Sequence, residues 1–150
     1  MLTFQTERLA DVRAEAEPLL LRHWKEVALN QDRIPLDPDW SAYAMTDSLG
    51  MLCVTTARLH GKLIGYVSDV LSGNLHYKSL KVAANDLFWL APEHRKGGLG
   101  LRLLLASEGF AREMGANQFV KRVKLHLDVG SVLERLGYTP IERVYSKLVF

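Results

Sequence analysis

Few residues in this chain can cross-link, span a bilayer or carry a strong field. One cysteine, Cys53, stands alone among 150 residues, so no disulfide forms within the chain. Its neighbours, "MLCVTT", read as a strand, in which a thiol is buried and inert. Such cysteine usage fits a reducing compartment, and the expected location is cytoplasmic. No apolar run nears the ~18 residues that cross a bilayer. "MLTFQTERLADVRAE" lacks the apolar centre of a secretory signal, so neither membrane nor leader is expected. Lys and Arg number 19 against 17 Asp and Glu, a formal net charge of +2. That is too little to argue for specific nucleic-acid binding. "KRVK", interrupted by valine, reads as a solvated strand face. The five histidines show no ligand spacing, so no metal is expected. Repeats and low-complexity segments do not occur.

What is present is a globular composition. Hydrophobic residues make up 48% and charged residues 24%, enough for residues 1–150 to form one domain with a real core. Residues 11–29 read as a helix with Ala16, Leu20, Trp24 and Val27 on one face. Trp24 on that stripe reads as core. Pro18 suits a first turn, so the well-formed part is expected to begin near it. "NQDRIPLDPDW" is a connection, and a short helix runs from Asp39 towards Leu49, stopped by Gly50. "MLCVTTARL", "HGK" and "LIGYVSDVL" read as a hairpin. "SGNLHYKS" is a loop and "LKVAANDLFWL" a central strand.

Residues 98–114 give the clearest helix, with Leu99, Leu103, Ala106, Phe110 and Met114 as its apolar stripe and Gly115 as its stop. "NQFVKRVKLHL" reads as a strand. "DVGSVLERLGY" reads as a short helix with Asp128 as its N-cap, and "TPIERVYSKLVF" as one or two strands. The order predicts a mixed α/β domain: a twisted central sheet with helices on both faces.

The chemistry concentrates at "LAPEHRKGGLG", between the central strand and the long helix. A helix N-terminus after a strand offers unpaired N–H groups and the positive end of its dipole. Glycines let a ligand approach that backbone, and Arg95 and Lys96 add charge. This makes an anion site suited to a pyrophosphate. Two phosphate loops fail against it. Lys96 precedes the glycines and no Lys-Ser/Thr follows them, so a Walker loop is absent. Gly98-Leu-Gly100 is followed by Leu-Arg-Leu, so the G-x-G-x-x-G fingerprint is absent too.

Arg95-Lys-Gly-Gly98-Leu-Gly100 reads R-x-x-G-x-G and resembles motif A of the GNAT superfamily of N-acyltransferases, Q/R-x-x-G-x-G/A. "LxPEHR" is similar to that family's lead-in, and "VLERLGY", about thirty residues on, is similar to its "lYeklGF". The strong part of the likeness covers residues 81–138. The resemblance also looks towards small bacterial or phage-type members. It implies a GNAT fold and acetyl-CoA as co-substrate. Backbone groups of Arg95, Lys96, Gly97, Gly98, Leu99 and Gly100, with Leu101 at the margin, would hold the pyrophosphate. A methyl group on Gly98 or Gly100 would hinder that approach. Phe88, Leu90 and Ala91 would pair with the pantetheine arm where the central strand diverges from the next. An N–H near Leu90 would face the thioester oxygen.

The family's usual glutamate position, eleven residues before Arg95, holds Ala84. Asp86 is two residues on and shares Ala84's face. It lies four residues before Leu90, so regular alternation puts it on that residue's face too. A carboxylate in an apolar strand is out of place as core, so Asp86 is the candidate general base. A substrate-amine anchor and a structural hydrogen bond remain its alternatives. The family's tyrosine acid position holds Leu133. Tyr145 and His126 are the candidate acids, with Tyr138 behind them, and an unassisted thiolate is an open alternative. The acceptor pocket would draw on Trp40, Tyr43, Tyr66, His76, Tyr77 and Trp89.

The implied function is acetyl transfer from acetyl-CoA to a primary amine by direct attack in a ternary complex. The amine would belong to a small molecule or a protein, and a homodimer stays open. The alternative is a non-catalytic GNAT-fold module that binds CoA or a protein.

Overall fold

A computed structural model describes all of residues 1–150. Strand β1 (Leu2–Thr6) leads into helix α1 (Leu9–Val27) and helix α2 (Trp40–Ser48). The strands β2 (Leu52–Leu59), β3 (Lys62–Gly73) and β4 (Lys81–Leu90) follow. A single 3₁₀ turn, Pro92–His94, joins β4 to helix α3 (Leu99–Glu113). The chain continues through β5 (Gln118–Val120), a 3₁₀ turn at Leu125–Leu127 and helix α4 (Gly130–Arg135). The sheet order is β1-β2-β3-β4-β5. The first three pairings are antiparallel, and β4 with β5 is parallel, with α3 as the crossover.

Local chemistry explains most of these boundaries. His60 and Gly61 both have positive φ, 49° and 82°. They make the two-residue primed turn that matches strand twist, and Leu59 pairs with Lys62 across it. Asp39 caps α2 by accepting from the Ala42 N–H at 2.9 Å. The end of α4 is a Schellman motif: the Tyr138 N–H donates to the Leu133 carbonyl and the Gly137 N–H to that of Glu134. Gly137 takes the required left-handed conformation, φ 91°. "LERLGY" is thus a helix stop whose Leu133 and Tyr138 both pack in the core.

The core has two sides. Val12 of α1 packs with Leu52, Val54 and Leu63 on one face of the sheet. On the other face, Leu103 and Leu104 of α3 pack on Ala57, Val67 and Leu90, and Leu133 of α4 joins them.

Several expectations are corrected. Strand β1 lies ahead of the first expected helix; its period-two "LTFQT" was the available signal. Pro18 sits in the interior of α1. Pro18 and Ala14 are both exposed, so water can meet the Ala14 carbonyl that loses its helical donor. The buried side of α3 is Leu103, Leu104, Ser107 and Ala111, rotated from the apolar stripe. The cause is polar: Ser107 donates to the fully buried Asp69, which also pairs with Lys121 at 2.7 Å. Strand β5 stops at Val120, and residues 139–150 contain no strand. Asp128 caps by an Asx turn, accepting from the Gly130 N–H at 2.7 Å, while Val129 is the residue at the helix boundary.

Candidate active site

The site begins with one extra residue. Ser68 pairs with Leu87, but Asp69 pairs with Asn85, so Asp86 is the residue of a β-bulge in β4. The bulge resets the alternation. Leu87 and Trp89 pack with Tyr66 towards α1, and Asp86 meets Tyr43 of α2. Phe88 and Leu90 face α3 instead. Asp86 and Leu90 therefore lie on opposite faces, against the expectation from regular alternation.

The bulge also opens the sheet. Pairing of β4 with β5 ends at Ala84 and Val120. Beyond that, the Asn85 side chain substitutes for the ladder. Its amide accepts from the Arg122 N–H and donates to the Arg122 carbonyl at 3.2 Å. The strands then part. On the other edge, the Ala91 N–H donates to the Ile64 carbonyl at 2.9 Å. Backbone directions alternate along an antiparallel strand, so the N–H groups of Phe88 and Leu90 point to the opened edge. Gly65 permits the close approach of β4 there; a Cβ on it would lie 2.9 Å from the Trp89 carbonyl oxygen.

At the mouth of this opening, the loop between β4 and α3 presents amides. Gly97 and Gly98 have φ of 60° and 72°. No backbone or side-chain acceptor takes the N–H groups of Gly97, Gly98, Gly100 or Leu101, all of which precede the first full helical turn. The other amides of the expected set are engaged. Arg95 donates to the Pro92 carbonyl, Lys96 to that of His94 and Leu99 to that of Lys96. Both backbone groups of Ala91 are also engaged, with Ile64 and His94. The free set is thus Gly97, Gly98, Gly100 and Leu101, with the Lys96 side chain exposed beside it.

Arg95 turns away from that loop. Its guanidinium pairs with Glu26 of α1 at 2.6 Å, and its Nε donates to the Leu90 carbonyl at 2.8 Å. The Trp89 indole N–H also donates to Glu26, at 2.9 Å. Arg95 beside it holds the Glu26 carboxyl below the usual range. Next to this pair, His23 is buried, with Nδ1 3.0 Å from the Tyr66 hydroxyl and its ring stacked on Trp89. Burial lowers its pKa to about 4. These contacts fasten α1 to the end of β4 that carries Leu90. Sequence reasoning missed the fastening, because Glu26 and Arg95 are far apart in the chain and nothing local pairs them.

Asp86 is exposed and accepts a hydrogen bond from the Tyr43 hydroxyl. Burial, then the neighbouring carboxylate, raises the Tyr43 pKa. A cavity of about 300 Å³ lies beside the pair, between α1, the connection 28–39, α2 and the sheet. Tyr43 lines it, as do Trp40, Tyr66 and Leu87. Trp24, read from sequence as core, lines it as well. Trp89 packs behind Tyr66, while His76 and Tyr77 sit exposed on the loop before β4.

The candidate acids are not brought to this place. Tyr145 is 87% exposed on the irregular C-terminal segment. His126 is exposed in the 3₁₀ turn that replaces the expected strand. The Tyr138 hydroxyl donates to Glu108 of α3 at 2.6 Å. Leu133 is core, 7% exposed.

A bulged strand thus parts from its parallel neighbour beside a cradle of free amides. The model of the Acetyltransferase (GNAT) family matches residues 15–138, and the chain belongs to that family. Solved structures agree on the fold. A ribosomal-protein-alanine N-acetyltransferase from Brucella melitensis biovar Abortus 2308 aligns with a TM-score of 0.71 at 17% identity, covering 100% of this chain and 99% of the other. A GCN5-related N-acetyltransferase from Ralstonia eutropha JMP134 gives 0.75 at 15% identity, with 99% of each chain covered. AAC(6')-Iy, in complex with the bisubstrate analog CoA-S-monomethyl-acetylneamine, gives 0.63 at 17% identity, with 100% and 99% covered. A search of curated protein sequences found no match.

Proposed function

We propose that the chain is an acetyl-CoA-dependent N-acetyltransferase acting on a primary amine. The observation that carries this is the conjunction of three parts on one strand end: four free amides at Gly97–Leu101, an opened β4 edge at Leu90 and a carboxylate at Asp86. The cradle suits a pyrophosphate, since unpaired N–H groups and a helix dipole converge there. The opened edge offers Phe88 and Leu90 backbone groups to an extended, amide-bearing arm. A neighbour of the same fold in complex with a CoA bisubstrate analog supports CoA as the co-substrate.

In this reading the ammonium of the acceptor loses a proton to Asp86, directly or through one water. The free Asp86 oxygen is available, because Tyr43 donates to the other. The neutral amine nitrogen forms a bond to the acetyl carbon, the carbon–sulfur bond breaks, and the nitrogen gives up its second proton to water. The Leu90 N–H meets the negative charge that develops on the thioester oxygen. The sulfur leaves as a thiolate and takes its proton from water, since Leu133 is buried and Tyr145 and His126 stand apart. No covalent enzyme intermediate is needed. Cys53 is buried at the α3 side of the sheet, with its pKa raised by burial.

Asp86→Asn tests the reading. The amide keeps an oxygen for the Tyr43 hydroxyl and hardly changes volume, so fold and CoA affinity should hold while turnover falls roughly ~10²-fold. The loss should shrink between pH 6 and 10 as more amine becomes neutral. A mutant with the wild-type rate throughout removes Asp86 as the base; a change confined to the amine KM makes it an anchor.

A second reading is favoured by Leu133, which replaces an acid with a core side chain: a GNAT-fold module that holds CoA or a protein without turnover. Release of free thiol from acetyl-CoA with an amine panel separates the two.

A further inference from the structure

The cavity beside Tyr43 carries an inference about the acceptor, one that rests on the acetyltransferase reading above. We propose that the acceptor is a small primary monoamine on a single apolar body, of the size of a phenyl or hexyl group. The cavity's volume, about 300 Å³, is at the small end of the ~300–1,000 Å³ of small-molecule sites. Thirteen of its 17 lining residues are hydrophobic. Val12, Leu20 and Trp24 of α1, Ile34 of the connection, Trp40 of α2 and Leu87 of β4 line it with apolar side chains. The two carboxylates stand at its margins: Asp86 is joined to it through Tyr43, and Asp37 is exposed on the connection.

Only Asp86 stands beside the opened edge of β4; Asp37 is exposed at the rim, and the wall between them holds no charged side chain. A polyamine or an aminosugar would bring further charges into the apolar wall. Each would lose its water without gaining a partner, which costs far more than the wall returns. A monoamine keeps its nitrogen at Asp86, beside the opened edge of β4, and buries only carbon. One polar group in the wall is unengaged. The Ser68 hydroxyl, on a residue 5% exposed, has no hydrogen-bond partner in the protein. It is the only such buried side-chain atom. It lies in the wall of the cavity and not in the dry interior, where an unpartnered hydroxyl would be harder to tolerate.

The test is equilibrium titration in the presence of CoA, which prevents turnover, read by calorimetry and by the fluorescence of Trp24 and Trp40. The probes are phenethylamine, the n-alkylamines from ethylamine to hexylamine, spermidine and kanamycin. Affinity should rise about fourfold per added methylene, equivalent to ~0.8 kcal/mol per buried CH₂. Phenethylamine should bind at least tenfold tighter than spermidine or kanamycin. Ala16→Phe, which fills the cavity, should lower phenethylamine affinity at least tenfold and leave CoA affinity unchanged. Trp24→Ala, which enlarges it, should move the optimum to longer amines. A flat alkyl series, or tighter binding of spermidine or kanamycin, overturns the proposal. Phenethylamine binding without acetyl transfer keeps the cavity's preference for a small apolar monoamine and removes the enzyme reading. Acetyl transfer confined to spermidine or kanamycin does the reverse.

Discussion

Gly98 and Gly100 both belong to the R-x-x-G-x-G run, yet a methyl group should have opposite effects at the two positions. Gly98 stands in the left-handed region at φ 72°, ψ 17°. Alanine there costs roughly ~1–2 kcal/mol of backbone strain. A Cβ would meet no protein atom within 4 Å, so the cost is conformational and not steric. Relief would come by rotating Gly98 out of that region, which disperses the amides of Gly97, Gly98, Gly100 and Leu101. Gly100 is the second residue of α3 and has no positive φ. A Cβ there would touch the Phe88 ring at 3.8 Å and Leu90 at 4.0 Å, ordinary packing distances. Alanine should therefore gain helix propensity, of order ~0.5 kcal/mol in a first turn. At ~2–4 °C per kcal/mol for a chain of this size, Gly98→Ala should lower the Tm by ~2–8 °C and Gly100→Ala should raise it by ~1–2 °C. Calorimetric titration with CoA should show at least a tenfold weaker Kd for Gly98→Ala, ~1.4 kcal/mol, and a Kd within about threefold of wild type for Gly100→Ala. Wild-type CoA affinity in Gly98→Ala would refute the reasoning, because the amides would then not be the anion's ligands.

Ser68→Ala should stabilise the protein by about 1 kcal/mol in chemical denaturation, since an unpartnered buried hydroxyl is removed; a loss of stability would mean that the hydroxyl is engaged after all. Gly65→Ala should cost ~1–3 kcal/mol by overpacking, because the new Cβ would lie 2.8 Å from the Leu90 side chain and 2.9 Å from the Trp89 carbonyl oxygen. It should also slow acetyl transfer by displacing Leu90, and an unchanged rate would count against the Leu90 N–H. His23 is neutral in the fold at pH 7, with a pKa lowered by burial to about 4 against ~6.5 unfolded. The unfolded chain binds its proton first, so this contribution is complete above pH 6.5 and is lost as pH falls towards 4, at up to ~1.4 kcal/mol per pH unit. His23→Gln should flatten that part of the stability–pH curve; an identical slope in both proteins would refute the assignment.

The parts of the fold legible in the sequence were those set by local chemistry. The His60-Gly61 turn, the Asp39 cap and the Gly137 stop each follow from one or two residues and the backbone they require. The loop of free amides was legible for the same reason: glycines opening a helix leave amides free whatever surrounds them. Illegible features needed a partner distant in sequence. The length of β5 depends on where β4 stops pairing with it. "KRVKLHL" alternates like a strand, but Asn85 takes the Arg122 amide and leaves no ladder to extend. The C-terminal "IERVYSKLVF" has strand composition but no strand beside it. The turn of Arg95 from the loop to Glu26 is likewise invisible, since its charge suited either partner. Trp24 shows the limit of an apolar stripe: the helical period places it on the inward face without distinguishing core from cavity wall.

The bulge at Asp86 ties these departures to function. A regular β4 would put Asp86 on the face of Phe88 and Leu90, beneath α3 and away from any acceptor held by α1 and α2. The extra residue places the carboxylate on the α2 side with Tyr43 and returns Phe88 and Leu90 to the α3 side, under the glycine loop. The same residue marks where β5 leaves, so the Leu90 N–H faces an opening instead of a neighbour's carbonyl. One insertion thus puts the Asp86 carboxylate and the opened edge below the amide cradle on opposite faces of the sheet, as the proposed mechanism requires. Deleting Asp86 should therefore do more than remove a carboxylate. A ten-residue strand shortened by one would run in register with β3, with Asn85 still opposite Asp69 and Leu87 opposite Ser68, so Leu87 to Leu90 would keep their faces while the local bend that the bulge puts into β4 would be lost. Loss of acetyl transfer in the deletion should exceed that in Asp86→Asn, and CoA affinity should fall with it, whereas Asp86→Asn should spare CoA affinity. Equal CoA affinity in the two variants, measured by calorimetry on folded protein, would show that the bulge does not set the path.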